Sequence, residues 1–309
     1  VYPTLPRRDF SSVYRLSVLL KEDIDPEILQ RAVNLTMPRF PTYKAAIRKG
    51  VFWRYLEPND RPGPFVQEDV KNPCQPMHFK GNNRYLVRIY YYRNRIALEA
   101  HHSLGDGTGG MCVLQTLTAT YLRLKGHSEI ENGGFVLDIL GIPDPGELED
   151  AYMKYANAKV CPPRPGEKTY RVRGTKEPFY TLNIIDGIMS VSEVMRVAKS
   201  YNATITEYLN SVLLYALMRK QESEWHLKLR PVKIAMPVNL RRFFPSRTLR
   251  NFITMIYPGI DPRLGEYTFE EIVTQVHNYM RYYLNEKLLR GDITTNAETQ
   301  RNPFIRIVP

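Results

Sequence analysis

The sequence is poor in cysteine, and the few cysteines it has are not paired by spacing. Cys74, Cys112 and Cys161 are the only three, and no CxxC motif occurs. An odd number without a repeated spacing argues against a disulfide framework and against a cysteine zinc site. We therefore interpret all three as reduced thiols of a cytoplasmic protein.

Long apolar runs are missing as well. No stretch of 18 apolar residues occurs, so the sequence predicts no transmembrane helix. The opening segment VYPTLPRRDFSS has none of the features of a signal peptide. Because no methionine starts the chain and NPFIRIVP ends it without a terminal signature, we expect it to be a piece of a longer protein.

What the sequence does contain is typical of a globular protein with a basic surface. Its 309 residues are 43% hydrophobic and 24% charged, which is enough material for two lobes with cores of their own. The net charge of +11 favours an anionic partner. One basic segment, LRRFFPSRTLR, carries Arg241, Arg242, Arg247 and Arg250. No nucleic-acid-binding motif surrounds it, so we favour a small phosphorylated ligand over a nucleic acid.

The order of predicted elements indicates a mixed α/β (α+β) protein. Strands and helices alternate through a first lobe at residues 1–126. A polar, proline-rich connector with one helix near 146–158 occupies 127–166, and a second lobe fills 167–309. In that second lobe, YRVRG and FYTLNII have the composition of strands.

Helix signals are clear at several places. Asp25 before Pro26 is a typical N-cap, and Thr204 or Thr206 would cap the strongest predicted helix, ATITEYLNSVLLYALMRKQ. We predict that this helix buries an apolar face made of Leu209, Val212, Leu213, Ala216 and Leu217.

The segment RIALEAHHSLGDGTGG holds the strongest candidate site. Successive side chains of a strand point to opposite faces, so His102 continues the row of Leu98 and Ala100, whereas His101 lies on the side of Glu99. Such divergence disfavours a metal site shared by the two histidines, and no other ligand lies at a suitable spacing. The glycines also fit a dinucleotide or P-loop motif poorly.

Two interpretations of His102 remain open. A histidine on an apolar row is usually a hydrogen-bonded core residue, but one at a strand end beside a glycine-rich turn is also suited to act as a general base. Thr108 is a typical cap for the following helix. Asp106 could orient the base, be a turn aspartate that caps the helix from Thr108, or pair with a distant arginine. Ser103 faces away from His102 and is interpreted as structural.

The string HHSLGDG resembles the HHxxxDG signature of the CoA-dependent acyltransferase superfamily. His101, His102, Asp106 and Gly107 fill its specified positions, with a predicted strand before and a helix after them. The superfamily includes chloramphenicol acetyltransferase, the plant BAHD enzymes, condensation domains of peptide synthetases and bacterial alcohol acetyltransferase-like proteins. The segment 237–251 is similar to a stretch of the last branch, which we take as the nearest.

The resemblance implies two chloramphenicol acetyltransferase-like lobes with a tunnel between them. His102 would be the general base, and Asp106 would be structural and paired with an arginine, for which Arg241 is our candidate. No cofactor would be bound permanently; acyl-CoA or an acyl-phosphopantetheine would be a co-substrate. Arg242, Arg247 and Arg250 are candidates for contacts to CoA phosphates.

The resemblance also implies an activity and an alternative to it. The expected reaction moves an acyl group, acetyl first of all, from a thioester to a hydroxyl or amine of a small acceptor. The alternative is a condensation-like module that binds an acyl or peptidyl carrier protein without turnover. The DFGWG string of the BAHD branch is missing, so we expect either a branch without it or an incomplete second lobe.

Overall fold

The computed structural model describes residues 11–50, 54–78, 80–159, 166–175, 177–179, 181–224 and 228–301. Cys161 and the chain start lie outside these ranges, whereas Cys74 and Cys112 are free cysteines. In the described residues, no helix is both long enough and apolar enough to cross a membrane.

The first half of the chain is built around one sheet of four strands. It contains β1 (Val13–Leu19), β2 (Ala45–Lys49), β3 (Arg54–Pro58), β4 (Val66–Glu68), β5 (Val87–Tyr92), β6 (Arg95–His101), α1 (Pro26–Thr36) and α2 (Gly107–Leu124). The sheet order is β1-β6-β5-β4, and β2 pairs separately with β3. Strand β6 is antiparallel to both of its neighbours, β1 and β5, so the residue after it lies at the end of a central strand that is hydrogen-bonded on both sides.

Helices α1 and α2 cover one face of this sheet and close the largest core. Leu29, Val33, Leu98, Val113 and Leu117 are among its fully buried members. Asp25 caps α1 by accepting from the amides of Glu27 and Ile28, as the sequence predicts. Burial of these apolar faces fixes where β6 ends and α2 begins, and the two are joined by the glycine-rich turn.

The second half contains six helices and two short two-stranded sheets in its described residues. They are α3 (Pro145–Leu148), α4 (Ala151–Tyr155), α5 (Val191–Ser200), α6 (Ile205–Ser223), α7 (Phe269–Tyr283), α8 (Glu286–Arg301), β7 (Val232–Lys233), β8 (Met236–Asn239), β9 (Ile253–Ile256) and β10 (Gly259–Ile260). Strand β7 pairs with β10 and β8 with β9. The mixed α/β class expected from the sequence is confirmed.

Several local predictions about this half were wrong. The connector holds two short helices, α3 and α4, rather than one near 146–158. The described residues of YRVRG and FYTLNII form no strand, because there they pair with no neighbouring strand.

The buried face of α6 also differs from the predicted one. Thr204 caps the helix in a capping box with Glu207, but the buried side chains include Ser211, Leu214 and Met218. The predicted face is largely exposed, with Leu209 at 40% and Leu213 at 49%. The helix is apolar on more than one side, and it turns the Leu214 side towards α7 and β7.

Candidate active site

His102 follows directly on β6 and lies where the two halves of the chain meet. Its amide donates to Ser12 O at 2.8 Å, which continues the β1–β6 ladder by one residue. Its carbonyl accepts from Asn251 Nδ2 at 2.7 Å, a contact from the second half. His102 is half-buried, with the apolar row of Leu98 and Ala100 behind it on the same face.

His101 occupies the opposite face, as the alternation predicts. It is buried, and its Nδ1 lies 2.9 Å from Ser103 Oγ. Burial, followed by the positive charge that His102 can carry, lowers the pKa of His101 to about 4. His101 is therefore neutral near pH 7, and the Ser103 hydroxyl is hydrogen-bonded to it.

The surroundings of His102 keep its imidazole neutral near pH 7. Burial lowers its pKa below the ordinary 6.5, and hydrogen bonding by the Asn251 side chain and the Asp106 carboxylate charge act against that decrease. A neutral imidazole can accept a proton, so the residue is in the form that a general base needs.

The Asp106 carboxylate has both oxygens engaged. Oδ1 accepts from the amides of Thr108 and Gly109 at 3.1 and 3.2 Å, so Asp106, and not Thr108, is the N-cap of α2. Oδ2 accepts from Arg241 Nη1 at 2.8 Å and from the Phe252 amide at 2.9 Å. Of the three roles left open by the sequence, the structure thus shows the helix cap and the pairing with an arginine.

Arg241 draws the segment around residue 250 onto the motif. Besides Asp106, its guanidinium donates to the carbonyls of Thr248 at 2.9 Å and Arg250 at 2.7 Å. These bonds fix the backbone that presents Asn251 to the His102 carbonyl. Asn251 is the site residue to which the sequence assigned no role, although it ends the segment 237–251 that the resemblance had picked out.

The other candidate arginines are not drawn to the motif. Arg242, Arg247 and Arg250 are exposed. Arg247 forms an ion pair with Asp144 at 2.9 Å, and Arg250 lies 3.9 Å from Asp150. These side chains form a basic surface beside the site rather than a cluster within it.

Gly107 differs from the other glycines of the motif. Space is open around it, since apart from its chain neighbours and the backbone of its own helix no atom lies within 4 Å of the position that a Cβ would take. At Gly105 and Gly109 a Cβ would come within 2.6 and 2.1 Å of Leu249 O. Gly105 and Gly109 therefore pack against the protein itself, whereas Gly107 does not.

The arrangement can support proton transfer at a half-exposed neutral imidazole. The backbone of His102 is fixed at two points, since its amide bonds to Ser12 and its carbonyl to Asn251. The hydroxyl of the adjacent residue, Ser103, lies 2.9 Å from His101 Nδ1.

Comparison with known proteins shows a similarity of fold only. No family model and no curated protein matches the sequence. Polyketide synthase associated protein 5 from Mycobacterium tuberculosis is similar, with a TM-score of 0.56 at 14% identity over 91% of this chain and 71% of that one. The first condensation domain of the calcium-dependent antibiotic synthetase gives 0.56 at 16% over 95% and 73%.

A third similar structure was solved with coenzyme A. TRI101 of F. sporotrichioides, complexed with coenzyme A and T-2, has a TM-score of 0.56 at 10% identity over 97% of this chain and 77% of that chain. Identities this low establish the fold and leave the activity to be argued from the site. The chain has the fold of the CoA-dependent acyltransferases and condensation domains.

Proposed function

We propose that this chain transfers an acyl group, acetyl in the first instance, from an acyl-CoA thioester to a hydroxyl or amine of a small acceptor. The observation that carries the proposal is a half-buried, neutral His102 whose backbone is bonded to both halves of the molecule. The fold supports it, and we place the reaction in the cytoplasm.

The proposed reaction needs one base and no covalent enzyme intermediate. His102 accepts the proton of the acceptor hydroxyl or amine, and the freed nucleophile attacks the thioester carbonyl. The tetrahedral oxyanion collapses, the C–S bond breaks, and the imidazolium returns the proton to the thiolate. Such a base increases the rate about 10²- to 10⁴-fold. Holding both substrates next to each other increases the rate further.

The remaining motif residues have supporting roles in this proposal. His101, Asp106, Gly107 and Arg241 shape the turn that carries His102, and no metal takes part. The acyl donor is acyl-CoA or an acyl-phosphopantetheine, neither of which stays bound as a cofactor. The complex of TRI101 with coenzyme A supports a CoA donor.

The CoA phosphates are proposed to meet Arg242, Arg247 and Arg250. All three guanidinium groups are exposed, which suits contact with a diffusible anion. Arg247 and Arg250 would exchange the carboxylates of Asp144 and Asp150 for phosphate oxygens. Exposed ion pairs are weak enough for such an exchange.

Release of free CoA tests the proposal. With acetyl-CoA and a panel of alcohols and amines, the wild type should release thiol in an acceptor-dependent manner. His102→Ala should reduce kcat about 10²- to 10⁴-fold. Ser103→Ala, which alters the neighbouring residue but removes no proton acceptor from the reaction, should stay within about three-fold. Equal rates for wild type and His102→Ala would contradict the assignment of the base.

A second candidate function is a condensation-like module that binds a carrier protein without turnover. The similarity to a condensation domain and to an epimerization domain, the latter with a TM-score of 0.54 at 12% identity, favours it. The net charge of +11 would attract an acidic carrier domain. Salt-sensitive binding of a phosphopantetheinyl carrier protein, with no thiol release from any acyl donor, would favour this candidate over the enzyme.

A further inference from the structure

Tyr14 lies against the candidate base from the neighbouring strand. In the antiparallel register β1 to β6, Tyr14 pairs with Ala100, so its side chain is on the face of His102, diagonally across the ladder. The ring centroids of Tyr14 and His102 are 4.7 Å apart, and their planes are inclined by 53°. A tyrosine ring thus forms one wall of the space in which the imidazole sits.

The hydroxyl of Tyr14 is fixed at its far end. It donates to Asp106 O at 3.3 Å and lies 3.2 Å from the hydroxyl of Tyr43. A phenol hydroxyl can donate one hydrogen bond. Because the Tyr14 hydroxyl donates to the Asp106 carbonyl, it accepts from the Tyr43 hydroxyl. Tyr43 is fully buried, and burial raises its pKa well above the ordinary value, which keeps this donor protonated.

Gly105, in the turn after β6, and Gly109 and Gly110, at the start of α2, make room for the two phenols. A Cβ at Gly105 or Gly109 would lie 2.4 or 2.7 Å from the Tyr43 hydroxyl. A Cβ at Gly110 would lie 2.6 Å from the Tyr14 hydroxyl and 2.8 Å from its Cε2. The glycine-rich turn and the tyrosine pair are therefore complementary in shape, and the turn holds Tyr14 in place.

We propose that Tyr14 is a positioning residue for His102, acting through its ring on the orientation and solvation of the imidazole. The terminal torsion of a histidine has broad, shallow preferences, so a neighbouring wall is needed to restrict it. The hydroxyl pair and the three glycines prevent the wall from moving. The proposal rests on the proposed function only in so far as His102 is the base.

The chemical reactivity of His102 tests the proposal without reference to any activity. Diethyl pyrocarbonate modifies the neutral imidazole, and peptide mass spectrometry follows its rate at His102 as a function of pH. Tyr14→Leu removes the wall, so His102 should react several-fold faster. Burial lowers the pKa of His102, so with less burial the pH midpoint of its modification should rise towards 6.5. Tyr14→Phe keeps the ring but removes its hydroxyl bonds, so it should change the rate and the midpoint in the same direction and by less than Tyr14→Leu does.

Two further variants make the test robust. Tyr91→Leu makes the same change at another half-buried tyrosine, on β5, and should not alter His102. Gly110→Ala retains every atom of Tyr14 but forces its ring to move, so it should change the reactivity of His102 even if Tyr14→Leu folds poorly. If the rate of modification of His102 depends on pH in both Tyr14→Leu and Gly110→Ala as it does in the wild type, the proposal is overturned.

Kinetics separate this proposal from the proposed function. If the wild type releases CoA, Tyr14→Leu should lower kcat on the order of ten- to a hundred-fold with KM within about two-fold, as expected for loss of orientation. An unchanged kcat would count against Tyr14. If the wild type releases no CoA, the proposed function fails, whereas the reactivity of His102 still decides the role of Tyr14.

Discussion

At the scale of single residues, neighbouring side chains of the motif have very different surroundings. His101 is buried and bonded to Ser103, whereas His102 is half-buried and has Asn251 on its carbonyl. Asp106 is 1% exposed and has four donors on its two oxygens. An ionised carboxylate at such depth is stable only with its partners present, so Asp106 and Arg241 have to be considered as one unit.

The buried imidazole of His101 makes the stability of the protein depend on pH. Its pKa is about 4 in the folded chain against 6.5 in the ordinary state, so the unfolded chain binds more protons between these values. Stability is therefore fully present above pH 6.5 and is lost as the pH falls towards 4. At 1.36 kcal/mol per pKa unit, the loss by pH 4.5 is roughly 2–3 kcal/mol.

Urea unfolding at pH 7 and pH 4.5 checks this expectation. His101→Asn retains a group that can bond to Ser103 and carries no charge, so the variant should lose roughly 2–3 kcal/mol less than the wild type between the two pH values. His127→Asn, at a position where the side chain is 49% exposed, is the matched control. An identical pH dependence in His101→Asn and wild type would mean that His101 does not titrate as described.

At the scale of elements, the first turn of α2 contains one tightly packed glycine and one open glycine. A Cβ at Gly109 would lie 2.1 Å from Leu249 O, and backbone cannot yield as a flexible side chain can. Gly107, the first residue of α2, has no atom within 4 Å of its Cβ position apart from its chain neighbours and the backbone of its own helix. Gly109→Ala should cost about 2–3 kcal/mol, whereas Gly107→Ala should be neutral or gain up to about 1 kcal/mol.

The free energy of unfolding of the two alanine variants, measured in urea, decides the point. Both substitutions add one methyl group to the first turn of α2, so each is the control for the other. Equal losses of stability would indicate that the segment around Leu249 does not pack on α2 as the structure shows. A loss of thiol release in Gly107→Ala at unchanged stability would locate substrate next to that residue.

Elements were predictable from the sequence where the deciding contacts are local. The caps at Asp25 and Thr204 depend on residues within three positions, and the structure has both. The buried face of α6 was missed because it includes Ser211 and Gln221, which bond to the carbonyl of Glu207 and to both backbone groups of Arg230. A polar residue with such partners is buried at little cost, and hydrophobic patterning cannot detect this.

In the candidate site, too, the residues within one short segment were predictable and those brought in from distant parts of the chain were not. His102 and Asp106 were recognisable because they lie within one short motif, and strand alternation gave the separate directions of the two histidines. Asn251 lies 149 residues from His102, and Tyr14 is 92 residues from Asp106, so only the folded chain brings them to the site. Neither the spacing nor the composition of the sequence contains that information.

At the scale of the whole molecule, the site depends on contacts between the two halves. Leu249, from the second half, belongs to the core of the first. The amide of Leu249 donates to Glu147 O at 2.8 Å, and Glu147 forms a buried ion pair with Arg39 at 2.7 Å. The segment that brings Asn251 to His102 is therefore bonded to Glu147 of the connector, and Glu147 is bonded in turn to Arg39, which follows α1.

The segment before α5 carries apolar side chains that are exposed. Ile185 and Ile188 are 97% and 99% exposed, whereas Ile256 is 2% exposed. Ile185→Asn and Ile188→Asn should therefore change the free energy of unfolding by less than about 0.5 kcal/mol, and they should weaken binding of a hydrophobic dye. Ile256→Asn, the matched control, should cost about 3 kcal/mol or more, because it buries an amide among apolar side chains. If Ile185→Asn destabilises the protein as much as Ile256→Asn does, its side chain is covered in solution, and the surface around it is a contact surface.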